Sequence, residues 1–437
     1  MKPVLLYIFC VITFLPAAHA DSTLLAVGTA KTKQAVLGLM TLEPKTGASL
    51  ESAYANSLFQ TMESDFKFLK LFSLFSPEEF PQKSVSGTNP VQSEPWMTAG
   101  VDYLSYGSVT KQSTGKISVD FHVYSIAAAK DLLSKNYLAE ADDLKALGHT
   151  LADDLVMAIT GKKGIFQTRI TMICDRSGKK EVFTMNYDGS DLRQITQLRS
   201  LAMAPAWNPS GTQIAFSVFT KHSNGNKNLD LFLLDLRTGK QSLLSNRTGI
   251  NSGATFHPNG KDIALTLSFL GNPEIFLLNS VTKEATQLTK SLGFDVDPKF
   301  SPDGTKIAFV SSRPGKPMIY VMPKDQPSAA KRITYAGQYN ATPSWLPDSK
   351  RLAFAGWIDR HFDLFVINTE TQQIDRLTKN EGNNEDPSVS PDGNFIVFTS
   401  NRESGKNIWI TSMDGKFIKR LTFGAGSCSA PQWSPYL

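Results

Sequence analysis

The sequence predicts a six-bladed β-propeller, its last blade closed by both chain ends, preceded by a small α/β domain. Three observations carry this expectation. A short pattern of Pro or Ala, any residue, an aromatic or Val, any residue and Pro recurs six times, with its final prolines at positions 209, 258, 302, 347, 391 and 435. The spacings of 49, 44, 45, 44 and 44 residues match the period of a propeller blade. Each full unit holds four short β-rich runs, whereas the sixth stops after its first, and runs able to supply the missing three lie just before the first unit.

At the start of the chain, residues 1–20 read as a cleaved signal peptide. Lys2 is the positive start, and Val4 to Leu15 is an apolar stretch too short to span roughly 30 Å of hydrocarbon. Ala18, His19 and Ala20 form a small-x-small pattern, which places the mature start at Asp21. Without residues 1–20 the formal charge falls from +5 to +4, and the basic residues are scattered, which argues against nucleic acid as a partner. Residues 21–33 are rich in small residues and have no helical stripe, so they read as a separate arm. The apolar run Leu24 to Val27 suits addition to a partner's sheet edge; the alternative is an edge strand of the first domain.

Residues 34–163 lack the repeat. Ala35 to Leu42 reads as a strand. Leu50, Tyr54, Leu58, Met62 and Phe66 recur every four residues and form one apolar helical face. Residues 81–95 read as a surface loop, 101–110 and 117–125 as a hairpin, and 131–140 as a further strand. Leu144, Leu147, Leu151, Leu155 and Ile159 form a second helical stripe, with Gly161 as its C-terminal cap. Both stripes are expected to pack against the sheet.

In residues 164–437 each unit continues from its last Pro into a tight turn, such as Asp303-Gly304 or Asp392-Gly393. Two β-rich runs follow, then a short strand ending in Leu-Thr or Ile-Thr, as at 288–289, 333–334, 377–378 and 421–422. Runs at 169–174, 181–186 and 192–196 complete the last blade from the other end of the repeat region, which removes exposed strand edges. Alignment of the units places Cys174 at the end of a second strand and Cys428 at the start of the adjacent first strand. A disulfide and two free thiols in a packed blade both remain open on this reading.

Catalytic signatures are missing. No Gly-x-Ser-x-Gly elbow occurs, Gly47-Ala48-Ser49-Leu50 ending instead in Glu51, and there is no His-Glu-x-x-His and no phosphate-binding loop. Polar residues do cluster just before each first strand: Asn251 and Ser252, Asp295 and Asp297, Asn340, Asn384 and Glu385, with Phe294 and Tyr339 as aromatic neighbours. Blade geometry gathers them at one channel mouth, where they are expected to form a binding rim. The acidic pairs Asp295 with Asp297 and Glu385 with Asp386 leave an ion site as an alternative.

The signal peptide, the small α/β domain, the junction around Thr168-Arg169-Ile170, the six units and the terminal Trp433-Ser434-Pro435-Tyr436-Leu437 together resemble the TolB family, the periplasmic component of the Tol–Pal system of Gram-negative bacteria. The resemblance covers the whole mature chain. It implies a non-catalytic monomeric scaffold in the periplasm, without cofactor or metal, that reaches membranes only through its partners. It implies that the lipoprotein Pal binds at the channel mouth and that TolA binds the arm, through Asp21, Leu24, Leu25, Val27, Lys31 and Lys33. Lys31 and Lys33 make this arm more basic than the family pattern. The implied role is support of outer-membrane integrity and of constriction at cell division. The rival readings are a propeller accessory to an exported hydrolase and an ion- or small-ligand-binding propeller.

Overall fold

A computed structural model of the chain describes residues 34–437 apart from 224, 226, 380 and 425. The signal-peptide and arm assignments therefore lie outside the described residues. The first domain is a mixed sheet built from β1 (Val36–Leu39), β2 (Glu43–Pro44), β3 (Ser73–Leu74), β4 (Tyr103–Lys111), β5 (Ile117–Ser125) and β6 (Lys130–Ala139), in the order β3-β1-β4-β5-β6 with β2 paired to β4. Its helices are α1 (Ser49–Leu69), α2 (Ser93–Thr98) and α3 (Leu144–Thr160). The two apolar stripes lie on α1 and α3, where Leu58, Met62, Phe66, Leu151 and Leu155 pack against Val109, Val119, Phe121 and Val123 of the sheet. Gly161 ends α3 in the left-handed conformation that a Cβ would disfavour. The segment expected to be an irregular loop contributes α2, whose Trp96 is fully buried beneath it.

Six four-stranded antiparallel sheets follow as blades. Their innermost strands are Ala202–Trp207, Asn251–Phe256, Asp295–Phe300, Asn340–Trp345, Asn384–Val389 and Cys428–Trp433. The sixth sheet pairs Cys428–Trp433 with Arg169–Cys174, so one hairpin is assembled from residues at the two ends of the repeat region. Cys428 stands opposite Cys174 in that ladder, and the two sulfurs are bonded across 254 residues of chain. The other end of the same hairpin is held by Trp433 Nε1, which donates to Thr168 Oγ1 at 2.8 Å, and by the Arg169 N–H, which donates to Ser434 Oγ at 3.0 Å.

The Leu-Thr and Ile-Thr dipeptides lie just beyond the fourth strands rather than ending them. Each Thr turns inward instead. The hydroxyls of Thr196, Thr289, Thr334, Thr378 and Thr422 accept from the backbone N–H of Val182, Ile275, Ile319, Leu364 and Ile408 at 2.9–3.0 Å. Three of them also donate to buried carboxylates of Glu181, Glu274 and Asp363. A hydroxyl can accept and donate at once, which satisfies two buried groups with one small side chain.

The first domain sits on blades five and six, and one apolar core runs through both parts. Phe166 packs edge-on against Phe66 of α1 and Tyr187 of blade six, and Phe68 against Phe417 of blade five. Within this core Asp65 accepts from the Tyr187 hydroxyl at 2.6 Å and faces His149 Nδ1 at 2.8 Å. Asp153 accepts from the Phe166 N–H at 2.9 Å. Burial raises the carboxyls of both Asp65 and Asp153 above the usual range, and their hydrogen bonds offset this only in part.

Two outcomes are expected. Thiol titration of the denatured, unreduced chain from 21 to 437 should find no reactive thiol, and Cys174→Ser with Cys428→Ser should lower stability by at most roughly 5 kcal/mol, the limit that loop closure sets for so long a loop. Second, the raised Asp65 carboxyl contributes stability below the usual aspartate range that is lost as pH rises through its folded value. Asp65→Asn should therefore gain stability relative to the parent chain as pH rises above the usual aspartate range, read as the difference between their melting temperatures.

Candidate functional site

The recurring proline pattern has a local cause. In every innermost strand the third residue has positive φ: Ala204, Gly253, Asp297, Thr342, Asp386 and Ala430, at 49–64°. The ladder slips at the same point in all six blades. The next residue is Pro205, Ala254, Pro298, Pro343, Pro387 or Pro431. Proline has no N–H to offer a neighbouring strand, so it is tolerated at a bulge. Each bulge pushes its third residue out of the sheet, and all six line the central channel.

The channel is therefore written by one residue per blade plus a few neighbours. Among the six bulge residues only Asp297 and Asp386 are acidic, and Lys299 lines the same stretch of the channel. Burial raises both carboxyls; the charge of Glu385 adds to the effect at Asp386, and Lys299 opposes it at Asp297. Burial also lowers the Lys299 ammonium, against the pull of the two acids. Asp386 is fixed by Thr399 Oγ1, which donates at 3.0 Å, and by the Ala430 N–H, which donates at 3.3 Å across the blade gap.

Above this constriction the channel opens into a cavity of about 590 Å³. Its acids are Asp297, Glu385 and Asp386, and its wall is Tyr339, Trp357 and Phe362. Phe362 meets Tyr339 at 5.6 Å and Trp357 at 4.9 Å, both edge-on. Trp357 and Phe362 come from the second and third strands of blade four, which run eight residues each where those of blades two, three and five run six. The cavity lies at the N-terminal ends of the innermost strands. Tyr187, Phe395, Phe417 and Tyr436, which meet the first domain, lie at the opposite end, so the mouth faces away from that domain.

The structure corrects part of the expected rim. Asn251, Asp295, Asn340 and Asn384 occupy the first position of their strands and are buried, bonded to their own blade or to the one before it. Asn251 donates to the carbonyls of Leu229 and Arg247 and accepts from Ser245 Oγ. Asp295 accepts from Arg313 at 2.6 Å, and Asn340 donates to the Ala336 carbonyl at 2.9 Å. Asn384 accepts from Ser400 and Arg402 and donates to Asp363. Position one of the strand turns into the packed blades, whereas the bulge at position three turns toward the channel, joined in three blades by position five at Lys299, Ser344 and Gln432. Cys428 holds the same position in blade six, where a covalent bond replaces the hydrogen bonds. Of the remaining residues, Asp297, Tyr339 and Glu385 come together at the mouth, while Ser252 and Phe294 are half-buried and do not line it. Asp386 stands there beside Glu385, its partner in the acidic pair read from the sequence, whereas Lys299, Thr342, Trp357 and Phe362 were not expected there. Their signal was the residue before each repeated proline and the longer hairpin of blade four.

Among the described residues no three His, Cys, Asp or Glu side chains are arranged to hold a metal ion, and no helix is long and apolar enough to cross a membrane.

The chain matches the family model described as the TolB beta propeller domain over residues 156–437 and that of the TolB amino-terminal domain over residues 26–132. A protein of Xanthomonas oryzae pv. oryzae named Tol-Pal system protein TolB is 35% identical over 84% of this chain and 83% of its own length. A Protein TolB homolog of Chlorobium chlorochromatii is 35% identical over 59% of this chain, and the match spans just over half (57%) of that relative. The crystal structure of TolB from Acinetobacter baumannii superposes with a TM-score of 0.78 at 25% identity, covering 92% of this chain and 97% of that one.

The two kinds of rim residue should separate on mutation. Asn384→Ala leaves Asp363 and Arg402 short of a buried partner and should cost about 1–3 kcal/mol in denaturant unfolding. Glu385→Ala, at the open mouth, should stay within about 0.5 kcal/mol of the parent chain.

Proposed function

The chain belongs to the TolB family, and from that membership we propose that it is a non-catalytic periplasmic scaffold of the Tol–Pal system, binding Pal at the channel mouth and TolA through residues 21–33. In this role it supports outer-membrane integrity and constriction at cell division. The observation that carries the Pal assignment is the mouth cavity, in which three aromatic side chains stand beside three carboxylates. Aromatic anchors in a concave, partly desolvated pocket are the usual core of a protein-docking site. Exposed apolar residues on the same end of the ring extend it: Leu270, Leu292, Tyr335 and Phe423 sit on the connections around the mouth. The acids favour a partner segment that brings hydrogen-bond donors or positive charge to the channel. The first domain occupies the other end of the ring, which leaves the mouth open to a partner.

The test is affinity for each partner measured separately. Tyr339→Ala with Glu385→Gln should weaken Pal binding at least tenfold and leave TolA binding unchanged. Removal of residues 21–33 should abolish TolA binding and leave the melting temperature within a degree or two. Unaltered Pal affinity in the double variant would overturn the assignment of this face, and a large loss of stability on removing the arm would favour its reading as an edge strand.

A further inference from the structure

The sheet of the first domain has a second face that the helices leave uncovered. One face of β4, β5 and β6 packs on α1 and α3. The other is roofed at one end by the segment around α2, which buries Trp96, Phe80 and Val85 on Leu104 and Val101. Beyond that roof a cavity of about 760 Å³ opens between the segment 85–91 and the strands.

Strand register lays out its floor in rows. Glu43, Ser108 and Asp120 are cross-strand neighbours on β2, β4 and β5. Tyr106 and His122 form the next row, and Tyr124 and Asp131 the third. The rings of Tyr106 and His122 stack at 4.7 Å with planes 8° apart. The Tyr106 hydroxyl donates to Asp131 Oδ1 at 3.0 Å, and burial together with the Asp131 charge keeps that hydroxyl protonated far above the usual phenol range. His122 lies 3.4 Å from Asp131 and 3.5 Å from Asp120 through its two ring nitrogens. The carboxylates are thus held in place by the stacked pair before any ligand arrives. Gly107, between Tyr106 and Ser108, allows the approach of the strands there, since a Cβ would fall 2.0 Å from the Asp120 carbonyl oxygen.

We propose that this trough binds a guanidinium or ammonium group carried on an aliphatic stem, as a cationic side chain of an extended peptide or a small organic cation would present it. Three carboxylates, Glu43, Asp120 and Asp131, face it against one lysine, Lys45. Ring faces and carboxylates together are the surroundings that stabilise an organic cation, the ring through its quadrupole and the carboxylate through charge-assisted hydrogen bonds. Val85, Pro90 and Val91 supply an apolar wall on which the methylene stem can lie while its head reaches the acids. The acids are not arranged to converge on a metal ion, which directs the choice to a larger, planar or tetrahedral organic head. This site is on a different domain from the channel mouth and does not depend on the function proposed there.

The test is calorimetric titration of the full chain at low ionic strength with the peptide Gly-Arg-Gly, with Gly-citrulline-Gly as its neutral isostere, and with L-argininamide. Saturable binding of the arginine peptide is expected, at least tenfold tighter than the citrulline peptide. Asp120→Asn with Asp131→Asn should weaken it at least tenfold, and Glu43→Gln alone about threefold, with melting temperatures reported alongside. Glu385→Gln with Asp386→Asn should leave it unchanged, which separates the trough from the acidic channel. Equal affinity for argininamide and the tripeptide would assign a free cation as the ligand, and tighter tripeptide binding a peptide. Absence of saturable binding, equal binding of the citrulline peptide, or loss only in the channel variant would overturn the proposal.

Discussion

Closure of the sixth blade is the constraint on which the rest of the molecule depends. A ring of blades closes only when the two ends of the repeat region pair, which leaves just the short outer strands as edges, and here that pair is the hairpin of Cys428–Trp433 with Arg169–Cys174. The disulfide holds one end of the hairpin, and the bonds of Trp433 and Ser434 to the 168–169 segment hold the other. The channel needs all six bulges facing one axis, so it exists only when the ring is closed. The first domain rests on blades five and six, and the seam lies within blade six, so its platform depends on the same closure.

Within the closed ring, function is placed by a backbone irregularity. A regular strand would alternate its side chains between the two blade faces and offer none to the axis. The bulge at the third residue of each inner strand breaks that alternation and turns that residue to the channel, a side chain in five blades and Gly253 in the other. Positive φ is uncommon for residues other than glycine, so the five bulges other than that at Gly253 are held against their own preference by the surrounding ladder. The proline that follows forgoes a ladder bond that the bulge had already removed. The stability of the blade and the chemistry of the channel are thus set by adjacent residues with different tasks, as at Asn384 and Asp386: one buckles the blade, the other faces the axis.

The two ends of the ring have different chemistry. The end beneath the first domain is apolar and aromatic, with Asp65, His149 and Tyr187 as a buried polar knot. The free end combines aromatic side chains with unpaired or partly paired acids. At the channel Asp386 of blade five accepts from the backbone of Ala430 in blade six, so the two blades that carry the first domain are also joined at the axis. Coupling between the mouth and the first domain is reciprocal where it exists, and it needs an element with two arrangements that both sites bias.

The blade period, the order of strands within each unit, the shared last blade and the two helical stripes were legible in the chain because they rest on local patterns: turn residues, alternation and 3.6-residue spacing. The pairing of Cys174 with Cys428 was legible as one of two possibilities, since unit alignment puts them side by side but says nothing of their bonding. Tertiary structure alone decided which polar residues face the channel. Asn251, Asp295, Asn340 and Asn384 looked like a rim because they are polar and recur, yet recurrence is equally the mark of a buckle repeated in every blade. Whether a side chain one or two places along a strand faces the blade or the axis turns on a bulge, and a bulge is set by the partner strand as much as by its own residues. The acidic trough on β4, β5 and β6 was likewise hidden, because Glu43, Tyr106, Asp120, His122 and Asp131 become neighbours only through the cross-strand register of four different strands.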